Sequence, residues 1–199
     1  MTEYLVNKMK AMKPLYSLLI PFLFIANMAF AQEVEIGVRG GLNIATLGKS
    51  NLGFLPRIAY HVGGTAEFIT TPFISIQTEL MYSLQGAAVD RSQNINLSYH
   101  YLNVPLLVKA YFYEDASFEL GFQYGRLLKA VNASYLGSTE DAVNKNDFAA
   151  VFGLAYKLDE RFTFGLRYNL GISNTADRDI IYELRHTNRV LQISLGYIF

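Results

Sequence analysis

The chain has 199 residues, with 17 basic and 17 acidic side chains, three His, no Cys and no Trp. Single-domain length, 51% hydrophobic residues, 14 Phe and 14 Tyr exclude an intrinsically disordered chain. No Lys/Arg surplus exists to neutralise phosphates, so no nucleic-acid partner is expected, and the lack of Cys removes disulfides, thiolate metal sites and cysteine nucleophiles together.

The chain opens with Lys8, Lys10 and Lys13, then an apolar run from Leu15 to Phe30, then Ala29-Phe30-Ala31 before Gln32. A basic segment, a short apolar segment and a small-x-small site predict a secretory signal peptide over residues 1–31. Pro14, Pro21 and the shortness of the run argue against a spanning anchor helix. Met9 and Met12 are alternative starts inside the long basic segment. Cleavage after Ala31 leaves residues 32–199 as the mature domain with 14 basic and 16 acidic side chains.

From Val34 onward apolar residues recur with period two in eight successive runs. The first sets Val34, Ile36, Val38, Leu42 and Ile44 against Glu35, Arg39 and Asn43. The second sets Ile58, Tyr60, Val62 and Phe68 against His61, Thr65 and Glu67, and the third Ile74, Ile76, Leu80 and Tyr82 against Ser75, Gln77 and Glu79. The fourth runs Leu102, Val104, Leu106, Val108 and Phe112 against Asn103, Pro105 and Lys109, and the fifth Phe118, Leu120, Phe122 and Tyr124 against Glu119 and Gln123. Phe148, Phe152, Leu154 and Tyr156 mark the sixth, Phe162, Phe164, Leu166, Tyr168 and Leu170 the seventh, and Leu191, Ile193, Leu195, Tyr197 and Phe199 the eighth.

Between the runs, Thr70–Phe73, Tyr113–Ser117 and Asp159–Arg161 read as tight turns. Ala45–Pro56, Gly86–His100, Val131–Asn146 and Asn174–Thr187 read as long polar loops. Such alternation is the layout of bacterial outer-membrane barrels, with turns toward the periplasm and loops outside. The apolar face is aliphatic in mid-run and aromatic toward the ends, whereas the other face is rich in Gly, Ser, Asn and Gln, too small and polar for the dry core of a soluble barrel. The apolar face therefore predicts contact with lipid, bordered by aromatic girdles, and a closed sheet pairs every backbone group there. The predicted fold is all-β, an eight-stranded antiparallel up-and-down transmembrane β-barrel of the cell outer membrane after a cleaved signal peptide.

The inward face then carries Arg39, Lys109 and Arg167 against Glu67, Glu79 and Glu119, with Glu35 near the periplasmic rim. An eight-stranded barrel is just wide enough to be filled by side chains, so this balanced set predicts a polar plug, with a narrow conducting path as the competing expectation. Lys109 and Glu119 stand nearly symmetrically about the Tyr113–Ser117 turn and are expected to be cross-strand neighbours. Pro105 falls in mid-strand, where it offers no ladder donor, and predicts a bulge.

The stretches Gly37-Val38-Arg39-Gly40-Gly41-Leu42-Asn43 and Tyr101-Leu102-Asn103-Val104-Pro105-Leu106-Leu107-Val108-Lys109 resemble the PorT-like outer-membrane β-barrel family. The segment from Phe164 to Asn174 and the ending Gly196-Tyr197-Ile198-Phe199 are similar to the same family, so the resemblance covers residues 32–199. It implies an eight-stranded barrel in a Gram-negative outer membrane and no uniform activity. Leu195, Tyr197 and Phe199, spaced by two at the end of the chain, look like the signal that the barrel-assembly machinery reads as an incoming edge strand.

His61, His100 and His186 are expected at the outer rim near Asp90, Ser92, Ser98, Asp177, Asp179 and Glu183. No nucleophile elbow, zinc helix or phosphate loop accompanies them, so no catalytic activity, metal or cofactor is expected. Calcium at Asp177, Asp179 and Glu183 lacks the spacing of a calcium loop. Loop charges at Arg91, Lys145, Asp177, Arg178, Asp179 and Arg185 are mixed in sign. The sequence thus predicts a structural or adhesive role through extracellular loops, with a small pore or a transport or secretion accessory as the alternative. The expected partners are outer-membrane lipid, lipopolysaccharide and, during biogenesis, the barrel-assembly machinery, and the expected state is a monomer. Mass spectrometry of the protein extracted from outer membranes should give a chain starting at Gln32; a chain retaining residues 1–31 would make that segment an anchor.

Overall fold

The computed structural model describes residues 33–48, 55–90, 95–132, 144–174 and 187–199. The segment read as a signal peptide lies outside them. The described residues form eight strands: β1 (Glu33–Gly48), β2 (Arg57–Thr71), β3 (Ile74–Asp90), β4 (Ile95–Tyr113), β5 (Ala116–Asn132), β6 (Asn146–Leu158), β7 (Phe162–Gly171) and β8 (Thr187–Ile198). Neighbours in sequence are neighbours in the sheet, and β8 pairs antiparallel with β1 to close the barrel.

Strand formation follows the period-two pattern, which the burial pattern reproduces. Along β7 exposed and buried residues alternate without a break, with Phe162, Phe164, Leu166, Tyr168 and Leu170 outside and Thr163, Arg167 and Asn169 inside. Polarity is inverted relative to a soluble protein, as a wall between lipid and a polar lumen requires. Tight connections join strands at one end. Thr71 Oγ1 accepts the backbone N–H groups of Phe73 at 3.3 Å and Ile74 at 3.0 Å, which fixes the β2–β3 turn. The three-residue β6–β7 turn puts Asp159 and Glu160 at φ of 50° and 58°, left-handed conformations that suit the twist of a tight hairpin, and Arg161 N donates to Leu158 O at 3.2 Å. The start of β1 and the end of β8 meet at this same rim, where Phe199 N donates to Ile36 O at 2.9 Å.

Two expectations are corrected. Gly86–His100, read as a long loop, is mostly strand: β3 continues to Asp90, β4 starts at Ile95, and Gly86 pairs with Ser98. The residues there are polar because this part of the wall rises beyond the lipid, where the outward face no longer has to be apolar. Pro105 makes no bulge. It pairs with Gln123 of β5 in an unshifted register, and on the β3 side pairing resumes from Thr78↔Leu106 to Met81↔Asn103 without a slip. The missing proline donor opens the ladder locally, and the Thr78 hydroxyl donates to Pro105 O at 3.1 Å across the gap. Register shifts occur elsewhere, among them one on β4–β5 at His100/Tyr101.

Spanning the hydrocarbon takes roughly 9–11 residues of tilted strand, and strands of up to 19 residues extend well past that on the loop side. Leu106, 60% exposed on the outer wall, lies midway along the lipid-facing part of β4. Leu106→Arg should lower the unfolding free energy in lipid vesicles by about 2–4 kcal/mol, measured by urea titration. An unchanged midpoint would mean that this face does not lie in hydrocarbon.

Candidate functional site

The lumen is the place where the barrel concentrates its polar chemistry. Strand β1 shows its layering, because Glu35, Arg39, Asn43 and Leu47 point inward at successive heights from the turn end upward. Each belongs to a different layer.

The Arg39 layer takes one side chain from each alternate strand: Arg39 on β1, Glu79 on β3, Glu119 on β5 and Arg167 on β7. Barrel shear staggers adjacent strands, so residues at one height come from every second strand. Arg39 Nη1 stands 3.2 Å from Glu79 Oε1, and its Nη2 stands 3.8 Å from Glu119 Oε1. Arg167 Nη1 donates to Glu79 Oε2 at 2.9 Å, Nη2 donates to Glu119 Oε1 at 3.0 Å, and Nε donates to Glu119 Oε2. Each arginine faces both carboxylates, and no side chain of the four is more than 3% exposed. Gln77 Nε2 donates to Glu79 Oε1 as well. Gly153 makes the fork possible. It lies on one rung between Glu119 and Arg167, and a Cβ there would fall 2.8 Å from Arg167 Cγ.

Toward the turns, Lys109 Nζ donates to Glu67 Oε2 at 2.5 Å, while Ser75 Oγ and Tyr111 Oη each donate to Glu67 Oε1 at 2.5 Å. Lys109 and Glu119 are register partners, but their charges pair elsewhere. Lys157 Nζ closes on Glu35 Oε1 at 2.5 Å at the rim.

Above the charged layer lies a neutral one. Sequence reading put His61 at the outer rim; it points inward instead and is 3% exposed. Asn43 Nδ2 donates to Ser83 Oγ at 3.0 Å and Leu84 O at 2.8 Å, and its Oδ1 accepts from Gln192 Nε2 at 2.9 Å. The His61 Nδ1–H therefore donates to Asn43 Oδ1 at 2.8 Å, and Nε2 accepts the Ser194 hydroxyl at 3.0 Å. A hydroxyl, an imidazole and an orienting amide in that order have the connectivity of a nucleophile, base and orienter. Here they are buried inside the wall, with Ser194 5% exposed, so the contact works as packing.

The outermost layer is apolar: Leu47, Ala87, Tyr99, Tyr101, Leu127 and Ala130 form one buried cluster. Beside it, Asp147 accepts from Ser173 Oγ at 2.5 Å and Asn188 Nδ2 at 3.0 Å. Sequence reading missed this cluster because Ala87 and Tyr99 fell in the segment taken as loop. The available signal was that Tyr99, Tyr101 and Asn103 continue the inward period of β4.

The remaining candidates disperse. His100 lies on the outer wall, with Nδ1 2.5 Å from Tyr82 Oη. Ser98 Oγ accepts from Arg57 Nη1 at 2.5 Å. Ser92, Asp177, Asp179, Glu183 and His186 lie outside the described residues, as does the Asp90 side chain. Among the described residues, no three His, Asp or Glu side chains come together as a metal site would require. Leu195, Tyr197 and Phe199 line the outer face of β8. The Tyr197 ring packs against Phe162 at 5.4 Å and Phe199 at 5.8 Å between centroids.

The family described as outer membrane protein beta-barrel domain matches residues 30–177. The chain belongs to that family. Its fold recurs in Ail, the attachment invasion locus protein of Yersinia pestis, whose structure was determined in complex with the heparin analogue sucrose octasulfate. That match has 14% identity and a TM-score of 0.51, over 84% of this chain and 99% of that one. Neisserial surface protein A matches at 9% identity with a TM-score of 0.55, over 83% of this chain and 97% of that one. No curated protein matches the chain in sequence. The protein is thus an outer-membrane barrel, and its exposed apolar wall is the lipid-facing surface.

In this outer-membrane β-barrel, Arg167→Met leaves Glu79 and Glu119 sharing Arg39 alone. Removing one member of a buried ion set costs about 3–5 kcal/mol, read as a lowered urea midpoint in lipid. Adding Glu119→Gln should recover part of that loss. Additive losses from the two substitutions would mean that the charges are not coupled.

Proposed function

We propose that this protein is a monomeric outer-membrane anchor with a closed lumen, acting structurally or in adhesion through the segments that leave its outer end. The observation that carries the proposal is the filled interior. Glu35–Lys157, Glu67–Lys109, the Arg39–Glu79–Glu119–Arg167 layer, the His61 layer and the Tyr99–Tyr101 cluster are stacked along one axis. A pore needs a continuous hydrated path, and these side chains meet one another across the lumen. We assign no catalytic step.

The motifs at Gly37–Asn43, Tyr101–Lys109 and Phe164–Asn174 support placing the chain among PorT-like members of the family. We do not carry a secretion role over with that likeness. Leu195, Tyr197 and Phe199, on the outer face of the last strand, suit a strand-addition signal for the barrel-assembly machinery. Lipopolysaccharide is the expected neighbour at the outer end.

Planar-bilayer recording of the refolded full chain tests the closed lumen. The expected trace shows no conductance steps above the protein-free bilayer. Discrete steps at neutral pH would overturn the proposal in favour of a small pore or a transport accessory.

A further inference from the structure

Charge is distributed unevenly along the barrel axis. At the turn end the described residues include Glu33, Glu114, Asp115, Asp159 and Glu160, all exposed or partly exposed. At the loop end the exposed or half-exposed basic side chains among the described residues are Arg57, His100, Arg126, Lys129, Lys145 and Arg189. Asp147, the described carboxylate at that height, points inward and is buried.

Arg126 and Lys129 stand exposed on the outer wall of β5, with His100 of β4 beside Lys129. The register shift opposite His100/Tyr101 makes Leu128 an extra residue, so that Leu127 stays inside while Leu128 and Lys129 both face outward. Lys129 thereby becomes the rung partner of His100, about 5 Å away across the ladder. Arg57 and Lys129 are the cations that act electrostatically on the His100 ring. Arg126 lies below them on β5, and its Nη1 donates to Asn146 Oδ1 at 2.7 Å.

Among the described residues, Arg57 and Arg126 bond neutral partners. Arg126 bonds a neutral amide, and Arg57 bonds Leu97 O at 3.0 Å and the Ser98 hydroxyl. Among the described residues, no carboxylate pairs with Arg57, Arg126 or Lys129. They also sit at headgroup height. Tyr82 Oη bonds His100, and Tyr124 Oη donates to Asn146 Oδ1 at 2.9 Å, so the cations begin where the outer tyrosine girdle ends. Leu102 is the rung partner of Arg126, and below it Leu106 and Phe122 present exposed apolar wall.

We infer that the outer wall of β4–β5 is a binding site for a phosphorylated glycolipid of the outer leaflet, the lipid A type. Arg126 and Lys129 hold a phosphate, with His100 and Arg57 beside it, and the acyl chains lie along Leu102, Leu106 and Phe122. A lipid is the occupant because the cations adjoin hydrocarbon-facing wall on one side and the tyrosine girdle lies between the two. The site does not depend on whether the lumen conducts.

Native mass spectrometry of the refolded full chain in detergent reads the bound fraction. Diphosphoryl lipid A is the probe, with dephosphorylated lipid A and inorganic phosphate as the comparison arms. Two juxtamembrane cations together are expected to account for about a thirtyfold difference in affinity. Arg126→Ala with Lys129→Ala should weaken diphosphoryl lipid A binding by about that factor. Arg161→Ala, at the opposite rim, should leave it unchanged. Both substituted residues are exposed, and a heat-dependent shift on a denaturing gel verifies that the barrel has formed; Lys129→Gln alone gives the same reading at one cation. Undiminished binding in the double variant would overturn the inference. So would equal binding of dephosphorylated lipid A, or displacement of the lipid by millimolar inorganic phosphate.

Discussion

Arg167 holds two carboxylates at once, and the closed form of the barrel depends on that fork. A wall whose outer face is Leu, Val and Phe leaves the inner face as the place for ionisable groups. A charge there has no bulk water to stabilise it, so it must be met by another from across the lumen. The Arg39–Glu79–Glu119–Arg167 layer does this with one residue from each odd strand, so it ties together strands that share no ladder. Backbone hydrogen bonds hold neighbours edge to edge. The ion layer holds the cylinder across its diameter.

The layer also explains features that look unrelated. Gly153 is bare because the Arg167 stem crosses above it to reach Glu119. Glu67 collects Lys109, Ser75 and Tyr111, so the even strands carry their own compensation one level down. The Asn43–His61–Ser194 chain follows with neutral groups, whose hydrogen bonds are matched donor to acceptor. The ion layers and the His61 layer pair most of their groups across the lumen, while Tyr101 Oη and Asn169 Oδ1 stay without a partner.

Much of this was legible in the sequence, and the limits have physical causes. Period-two alternation assigns Arg39, Glu67, Glu79, Lys109, Glu119 and Arg167 to a single face, because a strand leaves only two choices. Tight turns carry register with them, so Lys109 opposite Glu119 and Gly153 opposite Arg167 follow from turn positions alone. Partners across the lumen do not follow. Arg39 and Glu79 meet through barrel closure, which no local pattern encodes. His61 was misplaced because β3 and β4 rise well past the level at which β2 begins, so the start of β2 lies inside the barrel and not at its rim. Pro105 was misjudged because a missing donor can open a ladder without adding a residue. The ribbon from Gly86 to His100 was hidden by its composition, which suits a strand outside lipid as well as it suits a loop.

That ribbon marks where the barrel changes its rule. Up to the His61 layer the wall is apolar outside and polar inside. Above it, Tyr99, Tyr101, Leu127 and Leu47 turn inward to form a buried apolar cluster, while Ser98, His100 and Lys129 face out. This is the ordinary polarity of a protein in water, and it begins at the height where Tyr82 and Tyr124 end the girdle. The inversion locates the outer membrane boundary from the interior of the barrel, independently of the aromatic residues on its surface. Arg126 and Lys129, which pair with no carboxylate among the described residues, stand on that boundary. Below it they would lose their hydration to hydrocarbon, and well above it they would be screened by solvent within about a Debye length. At the boundary itself a fixed anionic headgroup serves them best, and this is why their position along the strand says more than their number.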